Sequence, residues 1–268
     1  MHRFERAIVR RPASTFGEGL TTFEGPAPDH ARMLEQHAAY VAALRGAGLT
    51  VTELPALEAF PDAHFVEDVA LIVPELAIAT RPGAGAREGE VAAMLDTLAL
   101  LCGDRPRAQL EAPATLDGGD VLVHERRVLV GRSDRSNAAG VAALRQLLEP
   151  RGYAVVEVPV AQGLHFKSSV TALGPRTLVA AASFASLPEL TLGAPEPVEV
   201  LALPEAEAYA ANTLRINDTV LIPAGFPTLA ERVDRWRRAQ AEPLSVVALE
   251  MSEAQKMDGA LTCLSLRF

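Results

Sequence analysis

Asp68, Asp117, His165, Asn212 and Cys263 follow one another at intervals of 49, 48, 47 and 51 residues. A thiolate is a nucleophile, an imidazole carries protons near neutral pH, and carboxylates can orient the imidazole or hold a cation. Taken singly, each residue has a plainer explanation. Cys263 alone is a small buried hydrophobe, Asp117-Gly118-Gly119-Asp120 alone is a turn, His165 alone is a satisfied core histidine, and Glu67-Asp68 alone is a solvated acid pair. Their shared interval argues for more, because independent turns need not place chemically complementary side chains at one repeat phase.

The elements that must position them repeat with the same period. Arg6 to Arg10 reads as a strand, a helical pattern runs from Asp29 through Leu44, and a strand follows at Leu49 to Glu53. The same order then recurs with an extra strand in front. Hairpins are expected around Pro74-Glu75 and His124 to Arg127, with helices at about 87–101 and 136–148. A third copy has a short helix near Leu187, and a fourth has a helix over about 228–240. The alternating run 260–266, which carries Cys263, reads as a strand entered from the Asp258-Gly259 turn and supplies the first member of a fifth hairpin. Arg6 to Arg10 supplies its second. A fixed period with a split final unit predicts one circular array, a five-bladed α/β propeller over residues 1–268 closed by its N- and C-terminal strands. A doubly wound parallel sheet does not explain the recurring hairpins. Residues at equivalent points in such a ring point to its axis, so the five polar residues are expected to converge.

A net charge of −9 argues against a nucleic-acid surface and favours a small cationic ligand where acids gather in a cleft. Only Ala7 to Val9 is apolar before further arginines, so no leader is expected, and no apolar run is long enough for a membrane span. The two cysteines, Cys102 and Cys263, lie far apart, which suits reduced thiols in a cytoplasmic protein and excludes a cysteine-rich zinc site.

An ordered set of motifs covers nearly the whole chain: EGL at 18–20, FPDAHFVED at 60–68, RPGAGAREGE at 81–90, TLDGGDVL at 115–122, GRSDRSN at 131–137, GLHFKS at 163–168, AANTLRIN at 210–217, PAGFP at 223–227 and KMDGALTCLSLRF at 256–268. In these the chain resembles the dimethylarginine dimethylaminohydrolases of the guanidino-modifying enzyme superfamily. The resemblance implies a pentein-type five-bladed propeller that hydrolyses methylated arginine at the guanidino carbon to citrulline and a methylamine. It implies Cys263 as nucleophile, His165 as general acid and base, and Asp117 as acidic partner, a position where bacterial relatives can carry Glu. It further implies Asp68 with Glu67 on the guanidinium side, and Arg87 and Arg135 on the α-carboxylate. Asp62 with backbone groups near Leu20 and Met257 would take the amino-acid end. Arg132 is a second candidate for the carboxylate. By its composition the Gly/Pro-rich segment 16–28 reads either as a lid over the ligand or as an ordered turn.

A guanidinium is a delocalised cation and a poor electrophile, so such a site must both hold it and supply a strong nucleophile. No metal or organic cofactor is required for that chemistry, although thiolate and imidazole can bind zinc as an inhibitor. The expected partner is a small cationic amino acid, with no nucleic acid or membrane, and a homodimer is compatible with this reading. Two rivals stand beside it: another guanidine hydrolase such as an arginine deiminase, and a non-catalytic propeller that binds a macromolecule.

Overall fold

Short runs rich in Val, Leu, Ile and Ala pair into five three-stranded sheets in a computed structural model that describes residues 3–161, 163–241 and 243–268. The chain enters through β1 (Arg6–Arg10), α1 (His30–Gly46) and β2 (Thr50–Leu54). The next blade is β3 (Ala70–Val73), β4 (Leu76–Ala79), α2 (Glu90–Leu101) and β5 (Arg107–Gln109). It is followed by β6 (Val121–His124), β7 (Arg127–Arg132), α3 (Ala138–Leu148) and β8 (Ala154–Pro159). Then come β9 (Val170–Gly174), β10 (Thr177–Ala181) and β11 (Glu199–Leu203). Last are β12 (Leu214–Ile216), β13 (Thr219–Pro223), α4 (Pro227–Arg238) and β14 (Ser245–Leu249), with β15 (Leu266–Arg267) at the C-terminus.

Each sheet has one plan: the first strand is antiparallel to the second, and the second is parallel to the third across a crossover. The split blade obeys it too. β15 pairs antiparallel with β1 in the register Ala7 with Arg267 and Ile8 with Leu266, and β1 pairs parallel with β2. The five-fold arrangement expected from the period is therefore present.

The crossover helices bury one apolar stripe each, with residues three or four apart facing the sheets: Val91, Met94 and Leu98 in α2, Val141, Leu144 and Leu148 in α3, Leu229, Val233 and Trp236 in α4. Their starts are set locally. Asp29 accepts the Arg32 N–H and Asn137 the Gly140 N–H, which satisfies donors left open at a helix N-terminus. The start of α4 has Pro227 at its first position, and the Glu207 carboxylate accepts the N–H groups of Thr228 and Leu229.

The short helix expected near Leu187 in the third blade is a single 3-10 turn, Pro188–Leu190, and Pro188, Pro195, Pro197 and a left-handed Gly193 interrupt any longer helix. One sequence expectation is corrected. The expected strand 260–266 is mostly a 3-10 turn, Leu261–Leu264, closed by the Cys263 N–H on the Ala260 carbonyl, and only Leu266–Arg267 pairs as strand. All four residues of that turn are buried, so the alternation did not mark a two-faced strand.

Every blade enters its first strand through such a 3-10 turn: Val66–Val69, Gly118–Asp120, Phe166–Ser168, Glu205–Ala211 and Leu261–Leu264. The five residues of the shared phase lie on these turns or beside them.

Candidate active site

Side chains on the turns bond each turn to the next. Asp68 Oδ1 accepts the Gly119 N–H at 2.9 Å, Asp120 Oδ1 accepts the Phe166 N–H at 2.9 Å, and Asn212 donates to the Lys167 carbonyl at 2.9 Å. Asn212 also exchanges two hydrogen bonds with Thr262, each 3.0 Å, and Arg267 closes the ring on Glu67 at 2.7 Å. The two glycines of 117–120 are required by this closeness. A Cβ at Gly119 would lie 2.7 Å from His165 Nδ1 and 2.8 Å from Asp68 Oδ1, and one at Gly118 would collide with the Glu67 carbonyl.

One cavity collects nine of the ten residues expected from the sequence. Cys263, His165, Asp117 and Asp68 line its reactive end, Arg87, Arg135 and Asp62 add charge, and Leu20 and Met257 contribute apolar wall. Phe65, Leu164, Asp258 and Gly259 also line it. Phe65 and Leu164 carried no spacing signal in the sequence, although Leu164 adjoins His165 in GLHFKS and Phe65 lies within FPDAHFVED.

His165 lies between two carboxylates. Its Nε2 is 2.9 Å from Asp117 Oδ2 and its Nδ1 is 3.9 Å from Asp68 Oδ1. The aspartate side chain is therefore long enough to reach the imidazole. Asp117 Oδ1 accepts the Gly83 N–H, and Asp120, buried, accepts from Ser133 and Ser136 while holding the turn after His165. Burial opposes charge on His165, but the negative charge of Asp68, the hydrogen bond to Asp117 and the charge of Asp120 outweigh it and raise the imidazole to about 9. For Asp68, burial works against ionisation, yet the charges of His165 and Arg87 and the bonds from Arg87 and Gly119 hold its carboxyl below the usual range. Cys263 is pushed up to about 12 by burial first, then by the charges of Glu67 and Asp68. At rest its sulfur carries a proton.

Four of the expected residues are placed or engaged otherwise than expected. Glu67 does not line this cavity: its carboxylate turns to Lys167 and Arg267, both at 2.7 Å, and faces a second cavity on the propeller axis. Adjacent residues of a 3-10 turn point about a third of a turn apart, so Glu67 and Asp68 cannot share one side. Arg87 lines the cavity, but its guanidinium already serves Asp68, both oxygens of Glu90 and the carbonyls of Asp62 and Phe65, so it presents no open fork. Arg132 is tied to Glu157 and the Ser136 carbonyl. Asn212, of the shared phase, serves the ring of turns instead of the cavity. Arg135 differs from these cations: its half-buried side chain makes no hydrogen bond or ion pair among the described residues.

At the far end Asp62 accepts the Leu20 N–H at 3.1 Å. The segment behind Leu20 is tied to the cavity wall through Thr21 to the Lys256 carbonyl and Thr22 to Asp258. Asp68, Asp117 and His165 offer donor atoms within 4.8 Å of one another, the one such group among the described residues. Hydrogen bonds to one another, to Arg87 and to the Gly83 and Gly119 N–H groups engage these atoms, an arrangement that suits proton handling.

No protein-family profile matches the chain. It is 36% identical over 265 residues to the N(G),N(G)-dimethylarginine dimethylaminohydrolase of Pseudomonas aeruginosa, covering 99% of this chain and 100% of that protein. With the Streptomyces coelicolor protein of the same name it is 38% identical over 98% of this chain and 96% of the relative. Among solved structures, a cysteine-to-serine mutant of the Pseudomonas aeruginosa enzyme complexed with citrulline superposes with a TM-score of 0.92 at 35% identity, over 99% of this chain and 100% of that one. An arginine dihydrolase domain from cyanobacteria, at 18% identity and a TM-score of 0.82, shares the fold over 98% of this chain and 96% of its own length. With that likeness running end to end, the chain belongs to the dimethylarginine dimethylaminohydrolase family.

Proposed function

We propose that the chain, residues 1–268 acting as one catalytic domain, hydrolyses Nω-methylated arginine to citrulline and methylamine or dimethylamine. The observation that carries this reading is one cavity lined both by Cys263 and by an imidazole held between Asp117 and Asp68, in a chain of this family. Free Cys263 and Cys102 suit a reducing, cytoplasmic setting.

Asp68 receives the guanidinium, held in its charged form and orientation by Arg87 and Gly119. Arg135 takes the α-carboxylate, and Asp62 with the backbone near Leu20 and Met257 takes the ammonium end. The incoming cation offsets the carboxylate charge that keeps the thiol protonated, so binding releases the thiol proton to solvent and leaves a thiolate.

Thiolate attack on the guanidino carbon gives a neutral tetrahedral adduct. His165, raised to about 9 and protonated at neutral pH, gives its proton to the substituted nitrogen, and the C–N bond breaks with release of the amine. A cationic S-alkylthiouronium remains on Cys263. The now neutral His165 removes a proton from water as that water attacks the same carbon. Collapse expels the sulfur, forms the urea carbonyl of citrulline and returns the proton lost on binding.

Mass spectrometry of products from dimethylarginine, monomethylarginine and arginine tests the assignment. Citrulline and a methylated amine are expected. A large preference for arginine with ammonia release would move the chain to a deiminase.

A further inference from the structure

Behind the nucleophile, facing away from the ligand cavity, three charges meet. Glu67 directly precedes Asp68, Lys167 lies two residues after His165, and Arg267 lies four after Cys263. Lys167 Nζ and Arg267 Nη2 both reach Glu67 Oε1 at 2.7 Å. The other arm of Arg267 donates to the Thr262 carbonyl at 2.9 Å and to Ser265 Oγ at 2.8 Å, gripping the turn of Cys263 on both sides. Three elements that carry reactive groups are thus tied by one carboxylate.

We infer that Glu67, Lys167 and Arg267 form a charge clamp that fixes the Cys263 turn against those of Asp68 and His165 and sets how readily the thiol ionises. They are positioning residues, because they face the axial cavity and not the ligand. The inference rests on Cys263 being the nucleophile of the proposed reaction.

A clamp of this kind has a sign. Glu67 Oε2 is buried without a hydrogen-bond partner among the described residues, so no donor offsets that oxygen directly, and the Glu67 charge acts on the thiol. The charged or titratable groups near the thiol come from several elements, while β13 packs against its turn with none. Glu67 and Asp68 come from the turn Val66–Val69, Lys167 and His165 from the turn Phe166–Ser168 and its edge, and Arg267 from β15. The phenols of Tyr40 and Tyr209 also sense the thiol, and Asp117, Arg87, Asp62, Arg135 and Asp258 face it across the cavity. Among these, Glu67 opposes thiolate and Lys167 favours it, although the two are bonded to each other.

That opposition separates a charge clamp from a scaffold. A scaffold predicts that breaking the ion pair from either side does the same harm. The clamp predicts opposite outcomes: Glu67→Gln leaves Lys167 and Arg267 beside the sulfur and eases ionisation, whereas Lys167→Met leaves Glu67 less compensated and hinders it.

The test is alkylation of the full-length protein by iodoacetamide across pH 6 to 10, without substrate, with modification of the Cys263 peptide followed by mass spectrometry so that Cys102 is resolved from it. At about pH 7.5, Glu67→Gln is expected to react about tenfold faster than the parent and Lys167→Met about tenfold slower, one unit of thiol pKa each way. Lys167→Arg should return to within about twofold of the parent, since it restores the charge. Equal slowing in Glu67→Gln and Lys167→Met, or rates equal to the parent in both, overturns the clamp. Should Lys167→Met not fold, Glu67→Gln decides alone, and a rate no faster than the parental one rejects it. Dimethylarginine turnover by the parent is measured separately, so failure of the substrate assignment is distinguishable from failure of the clamp.

Discussion

Asp117 holds His165 from the Nε2 side at 2.9 Å, while Asp68 faces the opposite ring nitrogen at 3.9 Å. The two acids arrive on different turns, and a third, Asp120, fixes the backbone of Phe166 beside the imidazole. This histidine therefore keeps its proton despite being buried, as a donor to a departing amine must.

Replacing Asp117 by Asn removes the charge and substitutes a weaker bond. His165 should fall from about 9 toward its ordinary value, so the alkaline limb of the kcat/KM profile should move to lower pH by about a unit or more. A loss in kcat of about 10²-fold accompanies it. An unshifted alkaline limb would remove Asp117 from proton transfer.

The Cys263 thiol, pushed up to about 12 by burial and by the Glu67 and Asp68 charges, should show no thiolate absorbance near 240 nm in the free protein at neutral pH. Cys263→Ser is expected to lower dimethylarginine turnover by more than about 10³-fold, because a buried hydroxyl lacks the thiol's access to an anion. Turnover at the parental rate would end the covalent route.

Spacing made the repeat legible because every blade enters its first strand at the same structural point, whatever the side chain there. Leu20, Asp62 and Met257 carried no spacing signal and came only from the motifs around them. The turn at Leu261–Leu264 was not legible, since alternation of residue types implies a strand only where one face meets water, and this segment is buried on every side. The clamp was hidden for a different reason: Glu67 and Arg267 are 200 residues apart, and no local pattern reports a pairing across that distance. The ties of Arg87 to Asp68 and Glu90 were not legible, because an arginine beside a ligand cavity and one that braces its carboxylate look alike in sequence.

Arg135 is the cation at the cavity left free to bind an anion among the described residues. A hydrogen bond to a charged group contributes about 1.5–3 kcal/mol, so Arg135→Ala should raise KM by about 10- to 100-fold and leave kcat within a few-fold. Steady-state kinetics checks this, and a fall in kcat with KM unchanged would place Arg135 away from the carboxylate.

His37 and His64 are buried, and burial lowers them from 6.5 to about 4 and about 3. Their neutral forms suit the fold, so their contribution is fully present above 6.5 and is lost as pH falls through the folded values. Each can remove up to about 1.4 kcal/mol per pH unit in that window. His64→Phe keeps a ring against Phe16 and Phe65 but cannot take a proton, so the drop in urea midpoint between pH 7 and pH 5 should be smaller than in the parent. An equal drop in both proteins would exclude His64 as an acid-labile group.

Asp258 tests whether the segment behind Leu20 is a lid. Its carboxylate accepts the Thr22 N–H and hydroxyl, and Thr21 reaches the neighbouring Lys256 carbonyl, so the segment is fastened mainly to the wall of the cavity it covers. Asp258 has a positive φ of 55°, which glycine adopts without strain. Asp258→Gly therefore removes the two bonds to Thr22 without straining the turn, and leaves the Thr21 bond to the Lys256 carbonyl in place. Amide exchange at Thr22 is expected to speed up by about tenfold or more, the loss of about one charge-assisted hydrogen bond, and KM for dimethylarginine should rise. In the parent, citrulline should slow the same amide, because a ligand beneath Leu20 holds the segment closed. Exchange that is equal with and without citrulline would mean that these residues form a fixed wall, and that ligand enters by another route.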